Sequence, residues 1–139
     1  MNKINVLFLC THNSARSQLA EGLLNALHGD RFQAYSAGTK PLQVNPFAIK
    51  ALKEIGIDIS SHTSKHAKDF LGKPIDIVVT VCDNAKEECP FFPGVKTVIH
   101  HSFLDPSAET GNDEARLNAF RKTRDEIKEW LSSVFVKKY

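Results

Sequence analysis

Three of the 139 residues are cysteines, and one of them opens a run with the makings of an oxyanion site. Cys10-Thr11-His12-Asn13-Ser14-Ala15-Arg16-Ser17 is a C-x5-R-S loop. When such a loop runs from a buried strand into a helix, its backbone N–H groups converge on one point and favour negative charge there. Thr11, His12, Asn13, Ser14 and Ala15 would supply that cradle, and Arg16 adds a two-pronged donor suited to a tetrahedral oxyanion. The same field favours the Cys10 thiolate, the nucleophilic form, over the thiol. The Ser17 hydroxyl is spaced to donate to that sulfur. The competing reading is a cysteine that merely packs at a strand end, the commonest fate of an isolated thiol.

The flanking elements set that loop in the required place. Ile4–Leu9 is a short apolar run of β-favouring residues, as expected for a strand buried on both faces. From about Ser14, Leu19, Leu23 and Leu27 recur every fourth residue, an amphipathic helix ended by Gly29. Phe32–Ala37 reads as a second strand closed by Gly38. Asn45-Pro46 starts a second helix, with Ala48, Ala51, Leu52 and Ile55 as its apolar stripe and Gly56 as its stop. A short helix is expected at Ser64–Leu71, and strands at Ile75–Val81, β-branched from Ile77 onward, and Val95–Ile99. Leu117, Phe120, Arg124, Ile127, Leu131 and Val134 predict a long C-terminal helix, with Asp113 and Glu114 in its first turn. Strands alternating with helices indicate an α/β fold: a four-stranded parallel open sheet with helices on both faces. Right-handed crossovers make the order 2-1-3-4 the simplest. Sites in such sheets lie beyond the carboxyl ends of the strands, where Cys10 sits.

Composition narrows the function classes. The length fits one domain over residues 1–139, with 42% hydrophobic and 24% charged residues. Eighteen Lys and Arg against sixteen Asp and Glu leave a net charge of +2, too balanced to indicate nucleic acid or an anionic membrane. No apolar run approaches the roughly 18 residues that span a bilayer. Ile4–Leu9 is too short for a signal-peptide core and lacks a small-residue cleavage site, so the expected location is the cytoplasm. In that reducing compartment an odd number of cysteines excludes a closed set of structural bridges.

Cys82 follows the third strand as Cys10 follows the first. Neighbouring strands lie roughly 4.8 Å apart, which brings the two near the roughly 4.4–6.8 Å Cα separation of a disulfide. Cys82 is thereby able to attack a sulfur adduct on Cys10. Cys89 lies seven residues further on. A helical Asp83–Glu88 would hold Cys82 and Cys89 roughly 10 Å apart, so a bridge between them requires unwinding. Residues 82–94 therefore read as a redox switch, with Pro90, Pro93 and Gly94 at its far side. Two unrelated core thiols, or a zinc site from Cys82, Cys89 and His100 or His101, are the alternatives, although C-x6-C departs from the usual zinc spacing. Asp105-Pro106 follows the fourth strand, where proline keeps Asp105 extended and able to face the loop; an ordinary turn aspartate is the alternative.

The loop, together with Ser36-Ala37-Gly38, His62-Thr63-Ser64-Lys65 and Asp105-Pro106, resembles the low-molecular-weight tyrosine phosphatase fold. More closely, the chain resembles the thioredoxin-coupled arsenate reductases built on that fold. That resemblance implies arsenate bound in the loop, with phosphate or sulfate as competitors, and Asp105 as the general acid. It implies attack by Cys10, then Cys82, then Cys89, with thioredoxin reducing the last disulfide, in a detoxifying monomer without cofactor or metal. Asn13 would hold the loop and Ser17 the thiolate. The alternative on the same fold is a tyrosine phosphatase acting through a Cys10-phosphate, though Ser107 stands where phosphatases carry tyrosine. A third class is a thiol sensor or zinc module. Three residues depart from the reductase pattern. His12 replaces a common glycine and is expected to need a positive φ. Ala15 replaces a common cysteine. Lys65 replaces an acidic potassium ligand beside Asn13, Glu21 and Ser36, so its ammonium is expected to stand in for the ion.

Overall fold

The computed structural model describes residues 2–83, 89 and 92–139. Four parallel strands, β1 (Ile4–Cys10), β2 (Phe32–Gly38), β3 (Ile77–Thr80) and β4 (Thr97–His100), form one sheet in the order β2-β1-β3-β4. Val6, Leu7, Phe8 and Leu9 of central β1 are wholly buried, as a strand covered on both faces must be. Helix α1 (Arg16–His28) packs on β1 and β2, and α2 (Pro46–Lys53) and α3 (Asp113–Trp130) pack against α1 and against each other. Asn45 caps α2 by accepting from Phe47 N, with Pro46 in the first turn, and Asn112 caps α3 by accepting from Ala115 N. Helix α1 has no capping side chain, because Ala15 precedes it.

The strands and helices differ from their expected bounds in particular places. The third and fourth strands are shorter, and Ser64–Leu71 holds a single 3-10 turn, Ala67–Phe70. At the edge of β3, the Asp76 carboxylate accepts from Asn5 N at 2.8 Å, so a side chain replaces a ladder bond there. Three stripe residues face solvent: Leu27, Ile55 and Val134. Leu27 lies in the last turn of α1. Ile55 lies beyond α2, where Gly56 turns the chain at φ +83. After α3 the helix widens into a π turn at Leu131–Phe135. The wider turn shifts the 3.6-residue phase, so Phe135 enters the core against Phe8 and Phe32 while Val134 turns outward.

Candidate active site

The loop between β1 and α1 is held from outside by its carbonyls. Thr11 O accepts from Lys40 N (2.8 Å), His12 O from Leu42 N (3.1 Å) and Ser14 O from Asn45 N (2.9 Å). Asn13 O accepts from the Ser64 hydroxyl at 2.7 Å. Because each peptide is planar and trans, carbonyls turned outward leave the N–H groups facing the concave side. The uncapped start of α1 adds its own free N–H groups at the same place. The end of β2 presses against this loop at Gly38, where a Cβ would lie 2.6 Å from Thr11 O and 2.8 Å from Asn13 N. Only glycine permits that approach.

The positive φ expected at His12 falls instead on Asn13, at φ 50. Asparagine tolerates this left-handed geometry because its short polar side chain bonds locally. Asn13 Oδ1 accepts from Lys65 N at 2.9 Å, and its Nδ2 donates to Ser17 Oγ at 2.8 Å. The His12 ring turns away from the loop's centre, its Nδ1 lying 2.9 Å from Lys40 O.

Ser17 Oγ stands 2.8 Å from Cys10 Sγ. Since Asn13 donates to that oxygen, the serine's own proton is directed at the sulfur, the arrangement that stabilises a thiolate. Asn13, Ser17 and Gln18 are all fully buried. Gln18 Nε2 lies 3.2 Å from Asn13 O, 3.0 Å from Asn13 Oδ1 and 3.1 Å from Thr63 O, and Gln18 Oε1 faces His62 Nδ1 at 3.0 Å. Gln18 carries little signal in the sequence, being one amide beside the apolar stripe of an otherwise ordinary helix.

Arg16 is steered by the chain leaving β4. Its Nη1 donates to Phe103 O at 2.9 Å and its Nη2 lies 3.7 Å from Asp105 Oδ2. The other carboxylate oxygen of Asp105 accepts from Ser107 N (2.9 Å) and Ser107 Oγ (2.7 Å), capping the turn Pro106–Ala108. Asp105 is thus a turn aspartate that also faces the loop's arginine.

Cys10 and Cys82 are buried and Cys89 is half-buried; none of the three is in a disulfide. Cys82 Sγ lies 3.5 Å from Thr11 Oγ1, so the second thiol stands against the loop. Burial pushes the Cys89 thiol above its ordinary range. The expectation of a helical Asp83–Glu88 falls largely on residues 84–88, outside the described residues, as do Pro90 and any account of residues 82–94 as one unit. Among the described residues no cluster of three His, Cys, Asp or Glu is placed to hold a metal. His100, one of the zinc candidates, engages Thr80 Oγ1 through Nδ1 (2.8 Å) and Asp83 Oδ1 through Nε2 (2.9 Å).

Behind the loop, Ser36 donates to Glu21, and Lys65 Nζ lies 4.0 Å from Glu21 Oε1 while donating to Thr63 O at 2.7 Å. His62 Nδ1 lies 3.6 Å from the other oxygen of Glu21.

The family model for low molecular weight phosphotyrosine protein phosphatases matches residues 5–138. The chain is 48% identical to an arsenate reductase of Halalkalibacterium halodurans over 127 residues, 91% of either chain. It is similar to a solved arsenate reductase in the phosphate binding state, with TM-score 0.78 and 29% identity over 96% of this chain and 98% of the other. It is also similar to a thioredoxin-dependent arsenate reductase of Corynebacterium glutamicum (TM-score 0.66, 28% identity), covering 97% of this chain and 63% of that one.

Proposed function

The chain belongs to the low molecular weight phosphotyrosine protein phosphatase family, and from that premise we propose that it is an arsenate reductase working through Cys10, Cys82 and Cys89. The observation that carries this reading is the second thiol at the loop: Cys82 Sγ contacts Thr11 Oγ1, where a phosphatase needs no sulfur. Arsenate sits in the cradle of residues 11–15 and Arg16. The Cys10 thiolate attacks arsenic(V), and Asp105 protonates the departing oxygen, which leaves as water. Cys82 then attacks Cys10 Sγ. An S–S bond forms, the S–As bond breaks, and its electron pair stays on arsenic, which leaves as arsenite, arsenic(III). Cys89 next attacks Cys82 Sγ, restoring the Cys10 thiolate. A dithiol of thioredoxin reduces the Cys82–Cys89 disulfide and is itself oxidised; the thioredoxin-dependent relative supports this choice of reductant.

Asn13 and Ser17 hold the loop and the thiolate through the bonds described above. A relay reset by thioredoxin suits a reducing compartment, so we place the protein in the cytoplasm, as a monomer of one domain over residues 1–139. Among the described residues no helix is long and apolar enough to cross a membrane. Phosphate and sulfate compete for the cradle. The test is NADPH consumption with arsenate, thioredoxin and thioredoxin reductase for wild type, Cys82→Ser and Cys89→Ser. Arsenate-dependent oxidation that is lost in both variants is expected. Arylphosphatase turnover retained in both, with no arsenate-dependent oxidation in wild type, would establish the phosphatase alternative through a Cys10-phosphate.

A further inference from the structure

We propose that His100 is a positioning residue for the relay, clamping Cys82 beside the oxyanion loop during the first thiol exchange and resisting its departure in the second. The inference rests on the three-cysteine reading. His100 ends β4 and pairs in register with Thr80, the last residue of β3. Its two ring nitrogens reach either side of the Val81-Cys82 step, to Thr80 Oγ1 at 2.8 Å and to Asp83 Oδ1 at 2.9 Å. A carboxylate oxygen only accepts, so Nε2 carries the proton of the second bond.

One end of this clamp is fixed. Thr80 is 1% exposed and is paired with Leu9 of β1, immediately before Cys10. Val81 is also held, its N donating to Leu9 O at 2.9 Å and its O accepting from Phe103 N at 3.1 Å. The imidazole therefore acts as a stiff spacer from the buried sheet to Asp83, the first residue of the connection toward Cys89. Cys82 lies between the two anchored points, with its sulfur 3.5 Å from Thr11 Oγ1. The clamp favours attack on Cys10 by limiting where that sulfur goes. In the three-cysteine reading Cys82 Sγ must leave Thr11 to meet Cys89, and the His100 bond to Asp83, the next residue, opposes that departure. A contact that speeds one exchange and slows the next distinguishes a clamp from general structural support.

The test uses Asp83→Ala, because the Asp83 side chain is 78% exposed and its loss spares the core, with His100→Gln as the second variant. In reduced protein without arsenate, iodoacetamide alkylation of Cys82, read by mass spectrometry, is expected to rise about fivefold in both, the scale of one exposed charge-assisted bond. In rapid-quench single turnover with arsenate, formation of the Cys10–Cys82 disulfide falls by a similar factor, while its conversion to Cys82–Cys89 accelerates. Alkylation unchanged in both variants, or a second exchange that does not accelerate, overturns the clamp. If wild type forms no Cys10–Cys82 disulfide with arsenate, the relay itself fails, and the alkylation comparison still decides whether His100 restrains Cys82.

Discussion

Replacing Gly38 by alanine tests how tightly the loop's geometry is set from behind. Gly38 ends β2 without a positive φ, so alanine meets no backbone penalty there, and the whole effect is steric. Its Cβ would lie 2.6 Å from Thr11 O, 2.8 Å from Asn13 N and 3.0 Å from the His12 carbonyl carbon. All three are backbone atoms, so no side chain can swing aside. Reaching ordinary contact, which begins near 3.4 Å, requires these atoms to retreat by about 0.4–0.8 Å, the most at Thr11 O. Overpacking of this kind costs about 1–3 kcal/mol of stability. A shift approaching 1 Å in a reacting group costs about 100-fold, so turnover should fall about 30-fold to 100-fold with the fold retained. Gly56→Ala is the control: its φ is +83 with nothing within 4 Å, so it should lose about 1–2 kcal/mol through backbone strain alone and keep full turnover. Thermal unfolding, phosphate affinity by titration calorimetry and arsenate turnover together separate the two. Gly38→Ala with wild-type phosphate affinity and turnover would refute the argument that this close approach sets the cradle.

Two further outcomes follow from charges outside the cradle. Hydrogen bonding from Arg121 holds the Glu54 carboxyl below its ordinary value of 4.5, with Arg124 adding to it. A depressed acid contributes stability above its unfolded value that is lost as pH falls through the folded one. Urea unfolding should therefore show wild type losing stability below about pH 4.5 more steeply than Glu54→Gln; parallel profiles would contradict this. Because the Lys65 ammonium lies 4.0 Å from Glu21 and bonds Thr63 O, turnover should be the same in potassium and sodium salts at constant ionic strength. A clear potassium requirement would count against that role.

The amino-acid sequence on its own determined the architecture and the local half of the site. Apolar runs and three-to-four periodicity located the strands and long helices, and handedness then led to the observed order 2-1-3-4. Cys10, Arg16 and Ser17 were legible because they lie within one short strand-to-helix turn. Periodicity failed where its phase is interrupted, as at the π turn that sends Val134 outward and Phe135 inward. Tertiary structure alone decided that Asn13 and not His12 takes the left-handed backbone, that Gln18 is bound to it, and that Phe103 O holds Arg16 across 87 residues. Strand order had already put Cys82 at the loop's edge, but only the structure chose Thr11 Oγ1 as its contact and set His100 between Thr80 and Asp83. The physical reason is that a hydrophobic pattern reports which face of an element is buried. Which polar atoms meet across that burial follows only from register, close approach and the requirement that buried donors and acceptors be paired.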